Sequence, residues 1–364
     1  MKIKIFLIGI LLVVVAVAAA YFFLGAKGRS IAIEGIAKST EDIKQTYNAL
    51  APAAEPIKIV PESLTADFCA DGLDKDGKLL RPIGVMLAAD GSTRPLSGIA
   101  QADIVVEMPV IVGGINRFLA IFQCTNSNDI GSVRSARDDF IPLAAGFDAI
   151  YGHWGGSHFA LDQLRKKVID NIDALYNPHG AYYRKKGIRS PDNGFSSIER
   201  LRGAAGKLGY RLVQESGYGY ARINTSEIIS PAVKYKLDIK YPGKNAVSWL
   251  YDPVKKTFAR SRAGTAEMDK NINKQVESAN VIILKTTSRK LEGQYNDVRV
   301  VGRGEALIYR AGQEIKATWE KNEQKLSSRL RFLDEQDQEI PLAKGKIWLE
   351  YIDGATKTSY TAVQ

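Results

Sequence analysis

The sequence predicts an α/β domain, a mixed sheet with flanking helices, followed by a smaller β-rich domain and preceded by a transmembrane helix. Three observations predict this. An uncharged run, "IFLIGILLVVVAVAAAYFFL", extends from Ile5 to Leu24; short apolar runs alternate with helically spaced segments from about 80 to 222; and beyond about 225 only strand-like runs remain. The expected organisation is a membrane anchor over 1–26, a stalk over 27–62, an α/β domain over 63–222 and a β-rich domain over 223–364.

The anchor comes first. Twenty apolar residues in a helix cover a hydrocarbon core of about 30 Å. A cleaved signal peptide is the rival, since "AVAAA" offers small residues for cleavage, but "YFFL" carries the apolar run past that point. Lysines and an arginine flank both ends (Lys2 and Lys4, Lys27 and Arg29), so the charge rule for orientation is nearly balanced. The expectation is a single-pass protein of the cell membrane whose bulk is extracytoplasmic and whose first partner is the membrane itself. The two cysteines, Cys69 and Cys124, fit either one disulfide in an oxidising space or two separate buried thiols.

The stalk follows. "STEDIKQTYNAL" is polar with a helix-start signal, and "APAAEPIKIVPES" brings three prolines that favour extended chain. In the next region "PIGVMLA", "ADIVVEMPVIV", "RFLAIFQ" and "FDAIYGHW" read as strands, while "SHFALDQLRKKVIDNIDAL" and "SSIERLRGAAGKLGY" carry helical spacing. The last region reads as strands at "VSWLYD", "TFARSRAG", "ANVIILKTT", "VRVVGRGEALIYRAG", "ATWEK" and "IWLEYI". In "IYRAGQEI", Gly312 supplies the positive φ of a hairpin turn.

With 45% hydrophobic and 25% charged residues the chain is globular rather than disordered, and its net charge of +10 favours anionic partners. Nucleic acid is not among the expected partners, because no basic, aromatic stripe of a binding module is present and export removes the chain from it.

The motifs together resemble the YerB-like family of bacterial envelope proteins. "RPIGVMLAADGSTRPLSGIAQADIVVEMPVIVGGINRFLAIFQ", followed by "IGSVRSARDDFIPLAAGFDAIYGHWGGS", carries the likeness, with "WLYDPVKKTFARSRAG" and "ANVIILKTT" in the second half. "GSVRSAR" and the stretch Gly113-Gly114-Ile115-Asn116-Arg117 are its most specific pieces. The resemblance implies an α/β N-terminal domain, a smaller C-terminal one and an envelope location, with members that are typically lipoproteins of uncharacterised function. This chain departs from the pattern twice. The lipidated cysteine is replaced by the apolar run, and a Pro-His-Asn stretch reads Pro191-Asp192-Asn193 here.

The candidate site is argued from the residues. In "DIGSVRSARDDF", Arg134 and Arg137 stand where a strand gives way to a helix, with Arg117 nearby in sequence. Two readings stay open: the guanidiniums hold a phosphate or carboxylate, or they pair with Asp138, Asp139 or Glu107 and brace the loop. Ser135 with Asp138 makes a capping box; if Asp139 caps instead, Pro142 falls in the first helical turn, where its missing N–H costs nothing. The second turn, "YGHWGGSHFALDQL", uses Gly155 and Gly156 to bend the backbone and Ser157 to cap the next helix, and these three residues are expected to join the arginines in the ligand-binding site. His153 ends a strand, a common place for acid–base work, and is the candidate catalytic residue.

Arg94, after the first strand, is expected to converge on the same end of the sheet, where α/β proteins bind ligands. Asp103 and Glu107 share parity along one strand and are expected to partner arginines. The spacing of His153, His158 and His179 matches no zinc signature, and no nucleophile elbow, phosphate loop or dinucleotide fingerprint occurs, so neither metal nor cofactor is expected. The lead functional expectation is binding of an anionic cell-wall or lipid-linked precursor, with its processing as a further option. The alternatives are an adaptor that docks wall-synthesis or division proteins, and an envelope hydrolase using His153.

Overall fold

In the computed structural model of this chain, the described residues are Cys69 and residues 72–215, 219–242, 246–293 and 295–363. The expected anchor and stalk lie outside them. Among the described residues no helix is long and apolar enough to cross a membrane.

The predicted strands form in order. The first region supplies β1 (Ile83–Ala88), β2 (Ile104–Pro109), β3 (Asn116–Phe122), β4 (Ile130–Gly131), β5 (Ile150–His153), β6 (Asn171–Asp173), β7 (Tyr182–Arg184) and β8 (Gly194–Ser196). Its helices are short: α1 (Phe140–Gly146), α2 (His158–Arg165) and α3 (Ile198–Lys207). The second region supplies β9 (Lys234–Lys240), β10 (Val247–Asp252), β11 (Thr257–Arg262), β12 (Asn280–Lys285), β13 (Gly302–Arg310), β14 (Gln313–Lys321), β15 (Arg331–Leu333), β16 (Ile347–Ile352) and β17 (Lys357–Val363).

Sheet dominates, and it crosses the expected boundary. One ten-stranded sheet runs β15-β14-β13-β12-β16-β2-β3-β1-β5-β6, so strands from both halves share a single hydrogen-bonded surface. The joint is the parallel pair β16–β2, in which Ile347 faces Ile104 and Glu350 faces Glu107. A second sheet, a meander of β9, β10 and β11 closed on one side by β17, packs over the first. Described residues of both regions therefore lie in one compact unit spanning 59–364.

The period of two explains the layers. Val85, Leu87, Val105, Phe118, Ile283 and Trp348 point to one side, where α3 and the second sheet bury them. Met86, Ile104, Val106, Leu119, Ile282 and Leu349 point to the other, against α1 and α2. Covered on both faces, β1 reads as an unbroken apolar run, and β2 is apolar except for Glu107.

Two local expectations change. The long segment after Ser157 reads as one helix, yet α2 stops at Arg165, Lys167 takes a left-handed φ of 56°, and Asn171–Asp173 pairs in parallel with Tyr151–His153. An open sheet edge at β5 outweighs weak helical periodicity. Asp139 does precede α1 and Pro142 does fall in its first turn, but the Asp139 side chain makes no capping bond. The hairpin at Ala311-Gly312 forms with positive φ at both residues, the mirror-type turn that matches strand twist. Cys69 and Cys124 are joined in a disulfide, with Cα atoms 4.5 Å apart, which resolves the open choice between bridge and free thiols.

Candidate functional site: a cluster of arginines

Residues 131–137 are laid across the carboxyl ends of β1 and β5. The Arg134 N–H donates to Met86 O at 2.9 Å, and the Trp154 N–H donates to Arg134 O at 3.0 Å. The Ala136 N–H donates to Gly155 O at 2.8 Å, and the Ser157 N–H to Ala136 O at 3.1 Å. These bonds fix where both arginine side chains start. Arg117 begins in β3, opposite Ala88 and Met108, so it enters the same end of the sheet.

The three guanidiniums form one cluster. Arg117 donates from Nη1 to Ser135 O at 2.7 Å, and its pKa is pulled down to about 9 by burial and then by the charges of Arg137 and Arg134. Arg134 donates to Pro191 O at 2.6 Å, meets the Asp192 carboxylate, and lies 3.9 Å from Asp90. Arg137 donates to its neighbour Ala136 O at 2.9 Å, and its guanidinium carbon stands 5.3 Å from the centre of the Tyr295 ring. Among the described residues, the buried Nε atoms of Arg117 and Arg137 and the Ser132 hydroxyl have no hydrogen-bond partner. A buried donor without a partner costs about 1–3 kcal/mol, so three in one place need an explanation.

Carboxylates offset this charge only in part. Asp192 and Asp90 face Arg134. Beside Arg137, burial pushes Asp138 above its ordinary pKa and raises Asp139 well above it, with the neighbouring Asp138 adding to the effect. Acids that resist ionisation are poor counter-charges.

Other expected site residues are placed differently. Arg94 leaves the cluster: it donates from Nη2 to Ala89 O at 3.0 Å and pairs with Glu267, its pKa pulled down to about 9 by burial, then by Arg262 and Arg260. His153 is fully buried, with Nδ1 2.9 Å from Gly155 O and Nε2 3.1 Å from Asn171 Oδ1, so neither nitrogen is left for a substrate. The ring braces the junction of β5 and β6. His158 pairs with Glu292, and His179 sits at a left-handed position on its own loop, so the three histidines do not converge.

Gly155, Gly156 and Ser157 serve the backbone. Gly155 has a φ of 62°, a Cβ on Gly156 would press within 3.2 Å of Ala136 and Leu161, and the Ser157 hydroxyl accepts from the Ala160 N–H. Among the described residues no group of histidine, cysteine, aspartate or glutamate side chains is arranged to hold a metal ion.

Sequence reasoning missed the largest ionic feature. Arg260, Arg262, Glu107, Glu267 and Glu350 form a buried network between the two sheets. Arg260 reaches Glu267 and Glu350 at 2.7 Å each and also meets Glu107, which pairs with Arg262 and accepts from Asn116 at 2.7 Å. Glu107 is an arginine partner as expected, but of Arg260 and Arg262 rather than of Arg134 or Arg137. Asp103 accepts instead from the backbone of Gln123 and Cys124.

This architecture has known counterparts. Residues 71–211 match the N-terminal domain, and residues 237–349 the C-terminal domain, of a family described as a protein of unknown function (DUF3048). "Putative lipoprotein YerB" of Bacillus subtilis (strain 168) is 29% identical over 280 residues, covering 76% of this chain and 80% of that protein. The crystal structure of YerB protein from Bacillus subtilis superposes with a TM-score of 0.72 at 27% identity, covering 82% of this chain and 99% of that one. With both domains matched in order and one fold shared over most of its length, the chain belongs to the YerB-like family.

Proposed function

We propose that this protein is an extracytoplasmic envelope protein, tethered to the membrane through Ile5–Leu24, that binds an anionic cell-wall or lipid-linked ligand at Arg117, Arg134 and Arg137. One observation carries the binding reading: three guanidiniums share one cluster, with two buried Nε donors unpartnered and the acids beside Arg137 held toward their neutral forms. Like charges gathered in this way favour a ligand that neutralises them, and a phosphate or carboxylate suits the planar guanidinium fork.

The location rests on other evidence. The family relative carries the name lipoprotein, and a disulfide suits an oxidising compartment. Both cysteines of this chain are used in that disulfide, so the apolar run is the available tether. The buried placement of His153 favours binding over hydrolysis.

Calorimetric titration of the full chain with inorganic phosphate tests the site. Wild type should bind, with affinity falling as salt rises, and Arg134→Ala with Arg137→Ala should abolish the signal. Absence of binding in wild type at low salt would refute the reading.

A further inference from the structure

The arginine cluster lies where Arg117 faces Met108 and Ala88. At the opposite end of the main sheet, the parallel strands β2, β16 and β12 begin side by side, with Ile104 facing Ile347 and Ile347 facing Asn280. A cleft of about 810 Å³ opens there, between the segment around Lys274–Ala279 and the loop Lys344–Lys346. Four lysines line it, Lys255, Lys274, Lys344 and Lys346, against one carboxylate, Glu277. Glu277 is already engaged by Lys255 at 2.7 Å. Among the described residues, the ammonium groups of Lys274, Lys344 and Lys346 make no ion pair and no hydrogen bond.

Lys346 does not sit on a loose surface loop. Its carbonyl accepts from the backbone of Ala279 at 3.2 Å and of Asn280 at 3.1 Å, from Ser278 Oγ at 3.0 Å and from Asn280 Nδ2 at 3.2 Å. These contacts on one oxygen, with the Ser278 proton shared with Asn280 O at 2.8 Å, fix the start of its side chain. Burial holds its ammonium below the ordinary lysine pKa, while Asp103, Asp269 and Glu277 pull the other way. Two of these acids are committed to backbone donors. Asp269 accepts from Ala100 at 2.8 Å and Asn271 at 2.7 Å, and Asp103 accepts from Gln123 at 2.6 Å and Cys124 at 2.9 Å.

We propose that this cleft is a second anion site, which binds a phosphate-bearing organic ligand through Lys274, Lys344 and Lys346. Three ammoniums without an ion pair among the described residues stand around one cavity, and an anion that enters it can be met by all three. A lysine ammonium is a compact point charge suited to phosphate oxygens. The volume falls within the roughly 300–1,000 Å³ typical of sites for organic ligands, and Ala100, Ala279 and the half-exposed Ile272 offer apolar footing for a carbon skeleton. The site is independent of the arginine cluster, at the other end of the same strands.

The test uses the full chain and inorganic pyrophosphate, titrated calorimetrically into wild type, Lys344→Gln with Lys346→Gln, and Arg134→Ala with Arg137→Ala. The lysine variant should bind at least tenfold more weakly, while a wild-type-like component survives in the arginine variant. Equal affinity in wild type and the lysine variant overturns the proposal, as does loss of all binding in the arginine variant alone. Should the lysine pair fail to fold, Lys274→Glu on the exposed rim replaces it, with the same tenfold loss expected and unchanged affinity overturning the proposal. Competition of sn-glycerol 3-phosphate against monomeric dihexanoyl phosphatidic acid then assigns the source. Tighter binding of the lipid points to a headgroup, and equal or tighter binding of glycerol phosphate points to a soluble ester. Failure of both to displace pyrophosphate overturns the claim of an organic ligand.

Discussion

Arg260 is fully buried, its guanidinium 4.3 Å from the Trp348 ring centre and 5.0 Å from that of Trp249, with carboxylates of Glu107, Glu267 and Glu350 around it. Removing one member of such a group strands the others. Arg260→Ala should therefore cost about 3–5 kcal/mol in chemical denaturation, far more than its surface counterparts. Glu107 and Glu350 divide the work. Burial alone would raise Glu107, but Arg262 and Arg260 outweigh it and hold that carboxyl down; Glu350 is pushed up to about 7 by burial and then by Glu107.

The sign follows for pH. Between the ordinary carboxyl value of about 4.5 and about 7, the unfolded chain releases the Glu350 proton while the folded chain keeps it. The Glu350 contribution to stability is thus full below about 4.5 and lost as pH rises through about 7. Urea midpoints measured from pH 5 to 8 should fall in wild type and lose that component in Glu350→Gln. A midpoint slope unchanged by the substitution would count against it. At this scale the sequence held a signal that was not used. Glu107 and Glu350 interrupt apolar strands, and Arg260 and Arg262 share inward parity with Phe258, so each is a charge at a position that must be buried.

Among the elements, the strands were the most legible part of the sequence, because β-branched runs bounded by glycine and aspartate allow few alternatives. The helices were less so. Periodicity around Asn171–Asp173 is compatible with either state, and only the unpaired edge of β5 decides it. Ser157 and its glycines were legible as a cap and a turn, since the hydroxyl and the positive φ have local causes. The cysteines left two choices, for spacing cannot show that residue 69 returns to the end of β3. The bridge closes a separation of 55 residues, for which loop entropy gives roughly 4 kcal/mol of stabilisation. Thermal melting with and without reductant should show a drop of several degrees. An unchanged melting temperature with both thiols titratable would show that the bridge does not contribute.

For the whole molecule, the change of texture near 222 is real in sequence, yet β16 lies between β12 and β2 in one sheet. Separating the halves would expose β2 and β16 as long apolar edges. Urea unfolding followed by tryptophan fluorescence and by far-ultraviolet dichroism should therefore give one coincident transition, whereas two resolved transitions would indicate independent domains. The candidate site was half legible for a related reason. Arg134 and Arg137 advertise themselves as adjacent charges at a strand end, and Arg117 joins them because β3 runs antiparallel to β1. Arg94 and His153 looked equally suitable, but their fates are set by distant partners, Glu267 and Asn171, which local pattern does not reveal.

The most direct test is thermal melting of Arg134→Ala with Arg137→Ala beside wild type, each with and without inorganic phosphate. Arg134 faces an Asp192 carboxylate that is itself partly exposed, and Arg137 has no salt bridge of its own among the described residues. Both arginines are buried, but removing them also relieves the repulsion within the cluster, so the substitutions should cost well under the roughly 3 kcal/mol of a broken buried pair. Phosphate should raise the melting temperature of wild type and leave the variant unmoved. A loss of about 3 kcal/mol or more, as for a broken buried pair, with no phosphate effect on wild type, would make these arginines a structural brace and contradict the account.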